Sequence, residues 1–332
     1  MPSNTATDVT PPFNPSLDRR ANVLARLHRH DTIFRTITFA AAMSVLLVLG
    51  AVFVSLVDGS LLAFQTFGFS YFTTQSWNPA AEKFGALAPI YGTLVTSFIA
   101  MLIAVPTGLG IAIFLTELCP MAIRRPIGIA IELLAGIPSI IYGIWGLFFF
   151  APFLQETLQP LLIETLGAVP LLASLFAGPP YGIGILTAAL ILAIMILPFI
   201  TAISRDVFET VPAVLKESAY GLGCTRMEVV RRVVIPYTRV GIVGGAMLAL
   251  GRALGETMAV TFVVGNAHRI SASLLAPGTT ISATIANEFT EADSDLYTSA
   301  LIALGLILFF ITFLVLAAAR GMLLKLHRRA GG

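Results

Sequence analysis

A helix that crosses a bilayer needs about 20 mostly apolar residues. Six stretches of this chain meet that demand, roughly 36–57, 91–115, 127–152, 182–204, 239–264 and 298–320. A seventh, 157–178, is apolar but interrupted. Glu156 and Glu164 stand at its start, Pro160 and Pro170 lie inside it, and Gly178-Pro179-Pro180 closes it. It reads as a short helix at the membrane surface. Composition agrees, with 57% hydrophobic and only 11% charged residues, against about 25% charged in a soluble domain. These values exclude a soluble globule, a disordered chain, a disulfide scaffold and a nucleic-acid binder. The expected fold class is an all-α polytopic membrane protein with six transmembrane helices.

Charge placement tests the count. Basic residues concentrate on the cytoplasmic side of membrane proteins. With six spans, seventeen of the 20 Lys and Arg residues fall on one side, Lys83 and Arg269 on the other, and Arg252 within a span. A seven-span arrangement would divide them between both faces. Both termini are therefore expected in the cytoplasm. The chain divides into a cytoplasmic tail (1–35), a six-span domain (36–320) with a periplasmic surface helix at about 155–180 and a cytoplasmic hairpin at 205–238, and a basic tail (321–332). The opposite loops are acidic, with Glu288, Glu291, Asp293 and Asp295. The polar start, Met1 to Pro15, does not read as a cleaved signal peptide. Pro106, Pro138 and Pro198 fall inside spans, where each removes a backbone donor. A packing kink is one reading of each, a polar pathway the other.

Cys119 and Cys224 are too few for a disulfide framework, and both lie beside cytoplasmic segments where thiols stay reduced. The four histidines are scattered, and no HExxH, CxxC or GxxxxGK[ST] string occurs. No catalytic group, metal site, cofactor or nucleotide-binding loop is expected.

The most informative soluble stretch is 205–238. Thr210 can cap a helix with Pro212 in its first turn. That helix should stop at Gly221-Leu222-Gly223. Thr225-Arg-Met-Glu228 then has the form of a capping box for a second helix ending before Pro236. A plain connection needs only a few residues, so this knob has a purpose of its own. Ala213, Lys216, Ala219 and Tyr220 share one side of the first helix, a face suited to a partner's groove.

Glu217-Ser218-Ala219, then Gly223, then Val233-Val234-Ile235-Pro236 resembles the EAA loop of ABC-importer permeases. Gly251-Arg252-Ala-Leu-Gly255-Glu256-Thr-Met-Ala-Val260 resembles a signature of the PstC-type phosphate permeases. Glu132 to Phe148 and Ser76-Trp77-Asn78-Pro79 are similar to the same subfamily. Together the likeness covers about 65–320. It implies a type I ABC importer permease fold in the bacterial inner membrane and transport of phosphate. It also implies three protein partners: a second permease of the PstA type, an ATP-binding subunit of the PstB type on the cytoplasmic face, and a periplasmic phosphate-binding protein of the PstS type. The binding protein would meet the loops at 58–90, 155–180 and 265–297. Glu217, Ala219, Gly223 and Pro236 are then the ATPase-coupling residues. The chain would be a transport subunit, not an enzyme. A permease for molybdate or sulfate is the alternative.

Arg252 and Glu256 lie within the fifth apolar stretch, where a charge costs roughly 2.5–3.5 kcal/mol. Spacing of four sets both on one face of a continuous helix. One reading is a structural ion pair that fixes helix orientation. The other makes Arg252 an oxyanion-binding guanidinium on the substrate path, with Glu256 as its neutralising partner. Glu132, near the cytoplasmic mouth, is a further path residue. Gly241, Gly245, Ala249 and Ala253 form a small-residue ladder for close helix approach. A membrane-embedded enzyme would need clustered catalytic side chains in the spans, which are otherwise bare. A proton-coupled carrier would not need a 34-residue hairpin.

Overall fold

The computed structural model describes residues 15–170 and 172–330. The polar start of the chain and the last two residues of the basic tail lie outside the described residues. Among the described residues there are helices and turns but no β-strand. Six helices are long and apolar enough to cross a membrane: His30–Phe67, Leu87–Leu118, Ser139–Thr165, Ile185–Glu209, Arg226–Leu254 and Asp295–Gly321. The expected number stands.

The chain divides into two units, Met1–Ser55 and Leu56–Gly332. The boundary falls within helix α1 (Pro15–Phe67). Residues 15–35, expected as a tail, are helical and continuous with the first span. No glycine or proline interrupts 16–49, and Pro15 suits a helix start. In the first unit, Ile33, Phe34, Ile37, Phe39, Leu46 and Leu47 are all exposed, an apolar surface that only lipid or another apolar surface can cover.

The second unit is built around α5 (Ile185–Glu209). Its apolar residues run round every side, the pattern of a buried helix, and Ala188, Ala189, Ile191, Leu192 and Ile196 are fully buried. Helices α2 (Leu87–Leu118), α3 (Met121–Ala135), α7 (Arg226–Leu254) and α8 (Met258–Val263) pack against it. The small-residue ladder makes the α7 contact. A Cβ at Gly241 would stand 2.6 Å from Val207, and one at Gly245 2.7 Å from Ile203. Ala249 and Ala253 are buried on the same stripe.

Two spans differ from expectation. The stretch 127–152 is not one helix. Helix α3 ends at Ala135, Gly136-Ile137-Pro138 interrupts, and α4 (Ser139–Thr165) follows. Pro138 is thus a break before a span rather than a kink inside it, because a proline cannot donate to the preceding turn. Residues 157–165, expected in the surface helix, are the end of α4. Beyond them come turns and a short 3₁₀ segment, Ala173–Leu175. The fifth span also breaks, at Gly255, with α8 following separately.

Among the described residues, four helical segments widen to π-turns: Phe114–Leu118, Gly146–Phe150, Leu154–Leu158 and Val230–Val234. Each ends two residues before a proline, namely Pro120, Pro152, Pro160 and Pro236. A proline ring crowds the carbonyl four residues back and offers it no N–H. A turn with i→i+5 bonding moves that carbonyl aside and gives it another donor. Pro236 consequently does not terminate the second knob helix, which was expected to stop there. The helix runs from Arg226 through the π-turn and becomes the fifth span.

Helices α9 (Ile281–Glu288) and α10 (Asp295–Ala330) complete the unit. The loop between α8 and α9 docks on the N-terminal end of α5, where Ile185 N–H donates to Ala276 O and Leu186 N–H to Leu274 O. The knob leaves the opposite, C-terminal end.

Candidate functional site

The knob begins where α5 ends. The Thr210 hydroxyl donates back to Val207 O at 2.7 Å, so it closes α5 and does not cap the next helix as expected. Helix α6 (Ala213–Gly221) starts after Pro212 instead. At its far end Gly223 N–H donates to Tyr220 O and Cys224 N–H to Ala219 O, the paired bonds of a Schellman motif. That motif needs a left-handed residue, and Gly223 supplies it with φ 85°. Thr225 and Glu228 then form the expected capping box. Glu228 N–H donates to the Thr225 hydroxyl, and Thr225 N–H donates to the Glu228 carboxylate.

The two faces of α6 differ from the expected docking side. Ala219 is buried with Ala112, Phe208, Val211, Val229 and Val234 in a small core beneath the knob. Lys216 also turns inward. Its Nζ donates to Glu117 Oε1 at 2.5 Å, and the Glu117 side chain is only 7% exposed. What faces outward is Val214, Leu215, Tyr220, Leu222 and Met227, all exposed apolar side chains, with exposed Glu217 beside them and exposed Pro236 further on. A polar helix that buried an alanine and displayed these groups in water would gain nothing by it, so the display suits an apolar partner surface.

The second candidate region is where the two broken spans meet. Helices α4 and α8, each following a break, pack on one another. Gly143 permits the approach: a Cβ there would lie 2.7 Å from Phe262 and 3.1 Å from the Met258 carbonyl oxygen. The Tyr142 hydroxyl reaches back over the Pro138 break and donates to Leu134 O at 2.9 Å. That carbonyl is the one a proline at 138 cannot serve.

Arg252 occupies the last turn of α7 and is exposed. Glu256 lies past the break, partly buried, and its carboxylate accepts from Ala259 N–H at 3.3 Å, at the start of α8. The pair was expected on one face of one helix. The break at Gly255 removes that geometry, and Arg252 and Glu256 are not among the ion pairs of the described residues. A negative group at a helix N-terminus is favourable in its own right, which accounts for Glu256 without Arg252. Glu132 is engaged elsewhere. Arg205 Nη2 lies 2.6 Å from its Oε1, and Arg124 pairs with Glu209 at 2.9 Å. These two bridges fasten α3 to the end of α5. No cluster of His, Cys, Asp or Glu among the described residues could hold a metal ion.

Two sites escaped the sequence reading. One is the Glu117–Lys216 pair, 99 residues apart. The other is Glu288, which gathers donors from three segments. Trp77 Nε1 donates to it at 3.1 Å, the Tyr297 hydroxyl donates to the same oxygen, and His268 Nε2 lies 3.3 Å from the other. Trp77 stacks on His268 with centroids 5.3 Å apart. Burial pushes the His268 imidazole below its ordinary pKa, and Glu288 only partly opposes this. Its Nδ1 is buried without a partner. No sequence spacing announces such a convergence.

Residues 104–323 match the family described as binding-protein-dependent transport system inner membrane component. The phosphate transport system permease protein PstC of Mesorhizobium japonicum is 73% identical over 301 residues, covering 91% of this chain and 92% of that protein. The protein of the same name from Pasteurella multocida is 58% identical over 308 residues, covering 92% and 96%. Among solved structures, a bacterial ABC transporter involved in import of the acidic polysaccharide alginate aligns with a TM-score of 0.58 at 17% identity, covering 90% of this chain and 98% of that one. That likeness is one of fold.

Proposed function

The chain belongs to the family of binding-protein-dependent transport system inner membrane components and, within it, to the PstC-type phosphate permeases; from that membership we propose how it moves inorganic phosphate inward with energy from a separate ATPase. Seventeen of the 20 basic residues share one side of the six spans, which supports cytoplasmic termini and a cytoplasmic knob. The ATP-binding subunit, of the PstB type, docks on Val214, Leu215, Tyr220, Leu222 and Met227. Glu217, Ala219, Gly223 and Pro236 shape that surface: Glu217 lies on it, Ala219 seats α6, Gly223 ends it, and Pro236 sets the π-turn that carries it into the fifth span. The opposite loops receive the phosphate-binding protein, of the PstS type. A second permease, of the PstA type, completes the pore.

The observation that carries the path is Arg252, a guanidinium without an ion-pair partner among the described residues, in the last turn of a membrane helix that then breaks. Leaving such a charge in lipid costs several kcal/mol, so Arg252 faces the pore formed with the second permease. Its five donors match phosphate oxygens. Glu256, held at the start of α8, is placed to accept from a protonated phosphate. Glu132 works at the cytoplasmic mouth by holding Arg205.

Phosphate uptake by cells carrying Arg252→Ala, Arg252→Lys and the double change Arg252→Gln with Glu256→Gln tests this path. The first should abolish uptake and the second retain a fraction, since an ammonium keeps the charge but not the two-pronged geometry. The double variant should assemble and move no phosphate. Normal uptake by it would show the charges to be scaffolding. Competition by arsenate, but not by sulfate or molybdate, should mark the substrate as phosphate.

A further inference from the structure

We propose that the Glu117–Lys216 ion pair is the strut through which movement of the knob reaches the second span; this rests on the reading that an ATPase subunit docks on the knob. The Glu117 side chain is only 7% exposed and that of Lys216 21%, with 2.5 Å between Oε1 and Nζ. A carboxylate so nearly enclosed is costly unless it is closely paired, so displacement of Lys216 draws Glu117 with it. Lys216 precedes Glu217 and sits on the same nine-residue helix as exposed Val214 and Leu215. A push on that outward face is therefore a push on Lys216.

Beside the pair, under the knob, lies an apolar cluster: Ala219, Val211, Phe208, Val229, Val234 and Ala112. Hydrophobic contact is non-directional. A charge-assisted hydrogen bond is short and directional. It fixes register where the core does not.

The other end of the strut is equally specific. Glu117 lies within the π-turn Phe114–Leu118 that closes α2. Such turns are departures from regular helix bonding and recur at functional positions. Helix α2 then runs along α5 to the opposite end of the unit, where the Tyr91 hydroxyl donates to Ser271 O at 3.0 Å in the α8–α9 loop. One helix is thus tied at one end to the knob and at the other to the loop that faces the binding protein. The bridges Arg205–Glu132 and Arg124–Glu209 do a different task, since both join α3 to α5 and their carboxylates are about half exposed.

The test uses the complete transporter in proteoliposomes, with ATP hydrolysis and phosphate uptake measured on the same preparation. Glu117→Gln and Lys216→Gln should copurify with the ATPase subunit and hydrolyse ATP. The phosphate moved per ATP should fall about tenfold, within the range usual for coupling between sites. Lys216→Arg should keep the ratio, and the exchange of Glu117→Lys with Lys216→Glu should recover at least half of it. Glu209→Gln, at the exposed bridge, should leave it unchanged. Assembled single variants with the original ratio would overturn the strut, as would an assembled exchange variant that stays uncoupled. Loss of the complex itself in both single variants would make the pair a folding contact and overturn it too. If the unaltered complex holds no ATPase subunit, the reading of the knob fails first and takes the strut with it, a result visible before any variant is made.

Discussion

The two ends of α5 are fastened by different chemistry. At its N-terminal end, loop 264–280 is stitched by backbone bonds, with Ala267 N–H donating to Gly278 O and Gly278 N–H to Val264 O, both at 2.9 Å. Nearby, Glu288 collects Trp77, Tyr297 and His268 among stacked aromatic rings. At its C-terminal end the ties are ion pairs between long, partly exposed side chains: Arg205–Glu132 and Arg124–Glu209. Backbone bonds and buried aromatics allow one arrangement. Long charged side chains can keep contact while the elements that bear them shift. The first kind of fastening makes a fixed platform and the second an adjustable joint.

The sharpest way to break this contrast is at Glu288. Glu288→Ala would leave the Trp77 and Tyr297 donors and His268 without their acceptor. An unsatisfied buried donor costs about 1–3 kcal/mol, and because these groups are partly buried the total should be about 2–3 kcal/mol. Thermal unfolding of the solubilised complex should fall markedly, and an unchanged midpoint would mean that the platform is not held there. Next is Gly223→Val. Space around Gly223 is open, so the cost is backbone strain alone, about 1–2 kcal/mol at a left-handed position. It should spoil the knob's shape and phosphate uptake without affecting membrane insertion. Gly223→Asn should be milder, since Asn tolerates that conformation. Normal uptake by the valine variant would remove the turn from the coupling element.

Acidification should separate the ends more gently. His268 has a folded pKa below the ordinary 6.5 because of burial. In that window the unfolded chain binds more protons than the folded one. Stability is therefore complete above pH 6.5 and declines as pH falls toward the folded pKa. His268→Phe should flatten that slope between roughly pH 6.5 and the folded value, and a slope that persists would assign it to another group. The smallest effect belongs to Glu209→Gln. Its bridge to Arg124 is half exposed, and such pairs contribute about 0–1 kcal/mol. The same shallow response is expected from raised salt, read as a small drop in unfolding midpoint.

Local signals in the sequence were legible where chemistry is local. Thr225 and Glu228 lie three residues apart and form their capping box, Gly223 ends its helix, and Gly241 and Gly245 meet α5 as a ladder should. The six spans emerge from hydropathy alone. The misreadings have physical causes as well. Pro138 and Gly255 lie within apolar runs that hydropathy treats as continuous, so a kink inside a span is expected at Pro138 and unbroken helix at Gly255, where Arg252 and Glu256 would share a face. Pro236 was taken as a stop because an α-helix cannot accept it, whereas a π-turn can. Thr210 has two backbone neighbours to bond, and the tertiary path of α5 decided between them. Glu117–Lys216 and the Glu288 cluster join residues that only the fold brings together.

The π-turns have a consequence for how such a chain tolerates change in length. A π-turn carries one residue more than the α-turn it replaces. Elsewhere in a helix, deleting a residue rotates everything beyond it by about 100° and shifts it by about 1.5 Å, which would turn the Arg252 side of α7 away from its neighbours. Within Val230–Val234, deletion removes only the surplus. The helix on either side keeps its phase, and the strain is confined to Pro236. Phe114–Leu118, Gly146–Phe150, Leu154–Leu158 and Val230–Val234 are therefore the places where single-residue gaps belong when this chain is aligned with others. Gaps put elsewhere in the spans would imply a different set of pore-facing side chains.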